Sequence, residues 1–192
     1  VVFGKGFKDA RAVIIGEAPG AQEDESGVPF VGPAGKVLDD ILAHLGLKYS
    51  GKKVPQNRRV FITNVVKCNP RQNRRNRAPK AGEVLECRPW LVETLRHIRP
   101  NILIMLGRIS EAAIVGRRGF TYPMVLRGVL LYEVTHPAAY LRNTKSLEDD
   151  VHLWNQISKD LLDCTAANHP RPEPDVYDLP LLIQTKKEEA NG

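Results

Sequence analysis

Four short apolar runs, Ala12-Val13-Ile14-Ile15, Val60-Phe61-Ile62-Thr63, Ile102-Leu103-Ile104-Met105 and Val129 to Val134, recur along the chain with helical patterns between them. Runs this short and this rich in β-branched residues read as strands buried on both faces rather than as helices. Strands of that kind alternating with helices imply a parallel sheet covered on both sides. The expected fold is therefore α/β, a three-layer α/β/α arrangement around a central, mostly parallel sheet of four to five strands.

The helical segments carry their apolar residues at helical spacing. Val37, Leu38, Ile41, Leu42 and Leu45 mark a helix over 36–46 that Gly46 stops. Val84, Cys87, Leu91, Leu95 and Ile98 mark a long one over 81–98, and shorter patterns cover 109–115 and 148–162. Residues 119–135 hold two strand-like runs joined at Arg127-Gly128. Residues 1–11 read as a lead-in that turns around Gly4 and Gly6. After residue 164 prolines and charges take over, so a domain over 1–164 is expected to end in a flexible tail over 165–192.

With 42% hydrophobic residues over 192 positions, the chain can bury one substantial core. No apolar run approaches the ~18–20 residues that a membrane span needs, and no secretory pattern opens the sequence. The first residue is Val1, which suggests a trimmed N-terminus. Cys68, Cys87 and Cys164 are an odd set, so a disulfide framework is not expected and a reducing, cytoplasmic setting is. The formal net charge is +6, which favours polyanionic partners. Between Lys67 and Lys80 lie Arg71, Arg74, Arg75 and Arg77 with no acid among them, and Pro70, Asn73, Asn76 and Pro79 exclude a helix there. That stretch is either a phosphate-contacting loop or a solvated one.

Ligands of open α/β sheets bind at the carboxyl ends of the strands. The first strand leads into Gly16-Glu17-Ala18-Pro19-Gly20 and on to Glu23 and Phe30; the second leads to Asn64; the strand up to Val134 leads to His136. If these strands are parallel, a carboxylate, an amide and an imidazole gather at one mouth. Each has an ordinary alternative as a brace, a turn residue or a surface histidine.

Gly16-Glu17-Ala18-Pro19-Gly20, Glu23-Asp24, Gly27-Val28-Pro29-Phe30-Val31-Gly32 and Ala34-Gly35 resemble the first motif of family 4 uracil-DNA glycosylases. Thr63-Asn64-Val65-Val66-Lys67-Cys68 resembles the family's second signature, and His136-Pro137-Ala138-Ala139-Tyr140-Leu141-Arg142-Asn143 its histidine loop. Val1-Val2-Phe3-Gly4 and Cys87-Arg88-Pro89-Trp90-Leu91 also fit, and the motifs keep the family's order over residues 1 to about 162. The resemblance implies excision of uracil from DNA by a monofunctional N-glycosylase acting as a monomer. Glu17 and His136 would be the catalytic pair. Ala18, Glu23, Phe30 and Asn64 would bind the base, with Glu23 crowding C5 against thymine's methyl. Arg74, Arg75, Arg77 and Arg142 would hold DNA phosphates, and Leu141, with Tyr140, would fill the gap left by the extruded base.

The resemblance also implies a 4Fe-4S cluster on four cysteines. Cys68 and Cys87 match two of them; the other two are expected upstream of Val1, so the cluster belongs to the intact protein and is in question for this chain. The loop between Cys68 and Cys87 resembles that of a sister branch which traps uracil-DNA covalently through a histidine. Asn76 stands at that position here, and an amide is no such nucleophile. Ordinary turnover is therefore expected. Two other readings are a catalytically inactive or trapping nucleic-acid binder on the same scaffold, and a nucleotide-binding protein using Gly16–Gly20. The latter lacks the Lys-Ser/Thr of a phosphate loop.

Overall fold

The computed structural model describes residues 1–73, 75–116, 121–166 and 169–178. The four apolar runs form the middle of one sheet. They are β2 (Ala12–Gly16), β3 (Val60–Asn64), β6 (Ile102–Leu106) and β8 (Val129–Val134), and they run parallel in the spatial order β3-β2-β6-β8. All five residues of β2 and of β6 are buried, as expected of strands covered on both faces.

The sheet has six strands because each edge gains an antiparallel one. β7 (Met124–Leu126) returns to β8 through Arg127 and Gly128, both at positive φ (50° and 80°), the backbone of a tight two-residue hairpin. β1 (Gly4–Gly6) pairs with β3. The stretch expected to be a turning lead-in is thus an edge strand. Its glycines favour close approach rather than a turn, since a Cβ on Gly4 would lie 2.6 Å from the Phe61 ring. A separate two-stranded hairpin, β4 (Arg71–Gln72) with β5 (Arg75–Asn76), occupies the basic stretch that reads as loop.

Two apolar layers complete the sandwich. On one face, α2 (Pro33–His44) and α6 (Val151–Ala166) pack Leu38, Leu42, Trp154, Ile157 and Leu161 against Ile14, Ile62, Ile104 and Tyr132. On the other, α3 (Ala81–Ile98) and α4 (Arg108–Val115) pack Leu91, Leu95 and Ile114 against Val13, Ile15, Leu103 and Met105. The connection β2–α2–β3 steps one way along the sheet and β6–α4–β8 the other. The strand order reverses between β2 and β6, the place where such sheets hold ligands.

Two short helices escaped sequence reasoning: α1 (Ala21–Ser26) and α5 (Pro137–Leu141). Each is too brief to show a helical period. The expected tail boundary at 164/165 also needs correcting. Helix α6 continues to Ala166, and residues 169–178 pack onto the domain with Tyr177 fully buried. Residues 179–192 lie outside the described ones.

Candidate active site

The carboxyl ends of β2, β3 and β8 open into a single cleft of about 640 Å³. Glu17, Ala18, Glu23, Phe30, Asn64, Arg77, His136, Leu141 and Arg142 all line it, and so does Asn76. Residues from four distant parts of the chain therefore meet at one mouth: those after β2, β3 and β8, and Asn76 and Arg77 from the basic stretch.

Glu17 directly follows β2. Among the described residues its carboxylate has no hydrogen-bond partner, and burial raises its pKa against the opposing pull of the Arg142 guanidinium. Bracing of the loop falls instead to Glu23. Its Oε1 accepts from the N–H groups of Val31 (2.9 Å) and Gly32 (2.7 Å), and its other oxygen would lie 2.6 Å from a Cβ on Gly20.

Asn64 ends β3 almost wholly buried, and its Oδ1 has no hydrogen-bond partner. Buried amides are seldom left in that state. Phe30 lies alongside: a Cβ on Gly16 would meet Asn64 Oδ1 at 2.4 Å and the tip of the Phe30 ring at 2.5 Å. Only a glycine at the end of β2 lets the ring and the amide share this wall.

His136 caps α5. Its Nδ1 accepts from the Ala138 N–H at 3.2 Å, which leaves Nε2 to carry the proton in the neutral ring. Burial first, and Arg142 second, lower its pKa to about 4, so the ring is neutral at ordinary pH. Its ring centroid lies 6.3 Å from that of Phe30. Gly107, which sequence reasoning passed over, makes room for it. At φ 79°, a Cβ there would come within 3.2 Å of the His136 Cβ.

The expected DNA contacts divide. Leu141 is 49% exposed at the rim of the cleft, which does not suit a core residue. Arg142 lies at the mouth and acts electrostatically on both Glu17 and His136. Arg77 lines the cleft but is tied to Glu83 (2.6 Å). Arg75 is exposed on the hairpin. Tyr140 is not brought into the cleft; its hydroxyl donates to Asp150 at 2.6 Å and its ring packs on the core. Arg74 lies outside the described residues.

Below the cleft, Cys87 Sγ accepts from the Lys67 N–H at 3.4 Å, and Cys68 is the next residue along. Val2 donates to the Lys67 carbonyl at 2.7 Å, so the first residues of the chain lie against Lys67. Lys67 itself is buried, donating from Nζ to Thr63 Oγ1 and to the Asn64 carbonyl, each at 2.7 Å. It stands within the Thr63–Cys68 stretch, where sequence reasoning assigned it no role.

The sequence profile of the uracil DNA glycosylase superfamily matches residues 3–158. The chain belongs to that superfamily. It is 41% identical over 154 residues to a type-4 uracil-DNA glycosylase of Pyrobaculum aerophilum, covering 73% of each chain. Against a type-4 uracil-DNA glycosylase of Saccharolobus solfataricus it is 40% identical over 166 residues, 78% of this chain and 72% of the relative. A type-5 uracil-DNA glycosylase of P. aerophilum is more distant, 33% identical over 156 residues. For a member of the uracil DNA glycosylase superfamily, the matched span takes in all three strand ends that build the cleft.

Proposed function

We infer that the chain is a uracil-DNA glycosylase, a DNA-repair hydrolase that cleaves the N-glycosidic bond of deoxyuridine and leaves an abasic site. The observation that carries this reading is the convergence of Glu17, Asn64 and His136 on one cleft at the carboxyl edge of the sheet.

Chemistry at C1′ needs the nucleotide out of the stack. In our reading Phe30 gives the extruded base its stacking face. The Asn64 amide pairs with O4 and N3–H of uracil, which would satisfy its orphaned oxygen; cytosine presents the opposite pattern at the same two positions. As the C1′–N1 bond breaks, its electron pair goes to the uracil ring and charge builds on O2. A neutral His136 donates from Nε2 to that oxygen, an interaction worth ~3–4 kcal/mol of barrier. Glu17, unencumbered by hydrogen bonds, faces the cation developing on the sugar and orients the attacking water. Ala18 offers no second acid. Leu141 enters the gap in the duplex, and Arg142, Arg77 and Arg75 hold phosphates.

The resemblance to family 4 adds an iron–sulfur cluster. Cys68 and Cys87 are both free thiols, and the Cys87 sulfur accepts a hydrogen bond from the N–H of Lys67, the residue before Cys68, the kind of N–H···S contact that supports thiolate ligands. Cys68 and Cys87 would supply half of the ligand set. Among the described residues no group of three or more His, Cys, Asp or Glu is placed to hold a metal. When bound, such a cluster would cross-link the segments that carry its thiolates. A monomer in a reducing compartment completes the proposal; no helix among the described residues is long and apolar enough to cross a membrane.

The deciding experiment incubates the protein with an oligonucleotide containing one uracil, then cuts abasic sites with alkali, beside a thymine control. Cleavage of the uracil strand alone is expected. A protein–DNA band stable to heat and SDS would instead favour the trapping reading, and no cleavage the inactive one.

A further inference from the structure

A single peptide unit, Phe30–Val31, is gripped at both ends by opposite charges. Its carbonyl accepts from Lys5 Nζ at 3.1 Å. Its N–H donates to Glu23 Oε1 at 2.9 Å, and the following N–H, of Gly32, donates to the same oxygen at 2.7 Å. Phe30 sits at φ 53°, in the left-handed region that a side chain with a Cβ disfavours. Such a conformation persists only where its surroundings hold it. Leaving that region requires rotation about the Phe30 N–Cα bond, which would draw the Phe30 carbonyl away from Lys5 and carry the ring off the cleft wall.

The surroundings are built for the grip. Lys5 comes from the edge strand β1 and is half-buried, with Nζ 4.2 Å from the centre of the Tyr49 ring. Asp39 and Glu23 are its acidic neighbours. Helix α2 can lie under the turn because Gly35 has no side chain, and a Cβ there would be 2.2 Å from the Phe30 carbonyl oxygen. Lys5 is not among the residues lining the cleft.

We propose that Lys5 and Glu23 act as a two-sided charge clamp on the Phe30–Val31 peptide, making Lys5 a positioning residue for base recognition although it touches no substrate. Hydrogen bonds to charged groups are stronger and shorter than neutral ones, so a neutral partner at either end would hold the strained turn less firmly. The proposal rests on the reading of Phe30 as the stacking face for an extruded uracil.

The test compares Lys5→Met and Lys5→Arg with the unaltered chain on two duplexes. One carries an uncleavable 2′-fluorinated deoxyuridine and the other a stable abasic analogue that presents no base. Lys5→Met is expected to bind the first about tenfold more weakly and the second unchanged, with KM for uracil-DNA raised far more than kcat is lowered. Lys5→Arg should restore most of the loss. Equal weakening on both duplexes, or none on either, overturns the clamp. If Lys5→Met does not fold, as judged by its thermal melt, Lys5→Gln takes its place: it keeps a donor without the charge, and binding of the fluorinated duplex as tight as that of the unaltered chain would overturn the clamp equally. Failure of the unaltered chain to cleave uracil-DNA would instead defeat the functional reading on which the proposal rests.

Discussion

Arg142 is the charged neighbour that Glu17 and His136 share, yet the two groups are driven in opposite directions by the same burial. Desolvation disfavours whichever form carries charge, so the carboxyl is pushed up and the imidazole down. The acid limb of kcat/KM should therefore report Glu17, rising with pH through a value above the ordinary ~4.3 of a glutamate. His136, neutral down to about pH 4, should contribute no limb near its usual 6.5. A limb centred near 6.5 that persists in Glu17→Gln would contradict this. The same shift bears on stability. Between pH 6.5 and about 4 the unfolded chain binds the His136 proton more readily than the folded one. Stability from this residue is thus lost as pH falls through that window, and a His136→Gln variant should show a flatter acid limb in its melting temperature. For turnover, Glu17→Gln should leave binding of uracil-DNA intact while slowing excision by ~100-fold or more. Undiminished excision would remove Glu17 from the chemistry.

At the scale of elements, the site depends on backbone that comes close where side chains are missing. A Cβ on Gly35 would overlap the Phe30 backbone, with no flexible side chain that could move aside. Gly35→Ala should therefore cost ~1–3 kcal/mol of stability through overpacking and raise KM for uracil-DNA; a variant as stable and as active as the parent would show the turn to be more yielding than its contacts imply. Glycines of this kind mark the limit of what the sequence made legible. The four central strands and the long helix over 81–98 could be read because burial on one or both faces writes an apolar pattern. The strand ends carrying Glu17, Asn64 and His136 followed from them. Strand β1 could not be read, since its Gly-Lys-Gly carries no such pattern and its pairing with β3 spans more than fifty residues. Helices α1 and α5 are shorter than two turns. Tyr140, adjacent to Leu141 in sequence, faces the opposite way because its hydroxyl is satisfied by Asp150.

Across the whole molecule, the two ends of the sheet are given different tasks. The carboxyl ends form the open cleft, while the amino ends are strapped by residues 169–178. Arg171 donates to the carbonyls of Asp9 (2.6 Å) and Ile98 (2.7 Å). Asn101 donates to Pro170 at 2.9 Å, and Arg11 donates to Asn101 at 3.0 Å. Tyr177 inserts its ring among the side chains of α3 and donates its hydroxyl to the Pro100 carbonyl. Composition predicts a solvated tail here because prolines and charges dominate it, and charges are seldom recruited to a core. These charges instead satisfy main-chain carbonyls at the turns that enter β2 and β6. The separation makes the last prediction specific. Tyr177→Ala removes a buried aromatic far from the cleft and should cost ~3–5 kcal/mol, a fall of roughly 10 °C in Tm for a chain of this size. Excision of uracil, measured well below both melting temperatures, should keep its kcat and KM. A change in kcat there would mean that the strap reaches the active edge through the strands it clamps, and the two ends of the sheet would have to be treated as coupled.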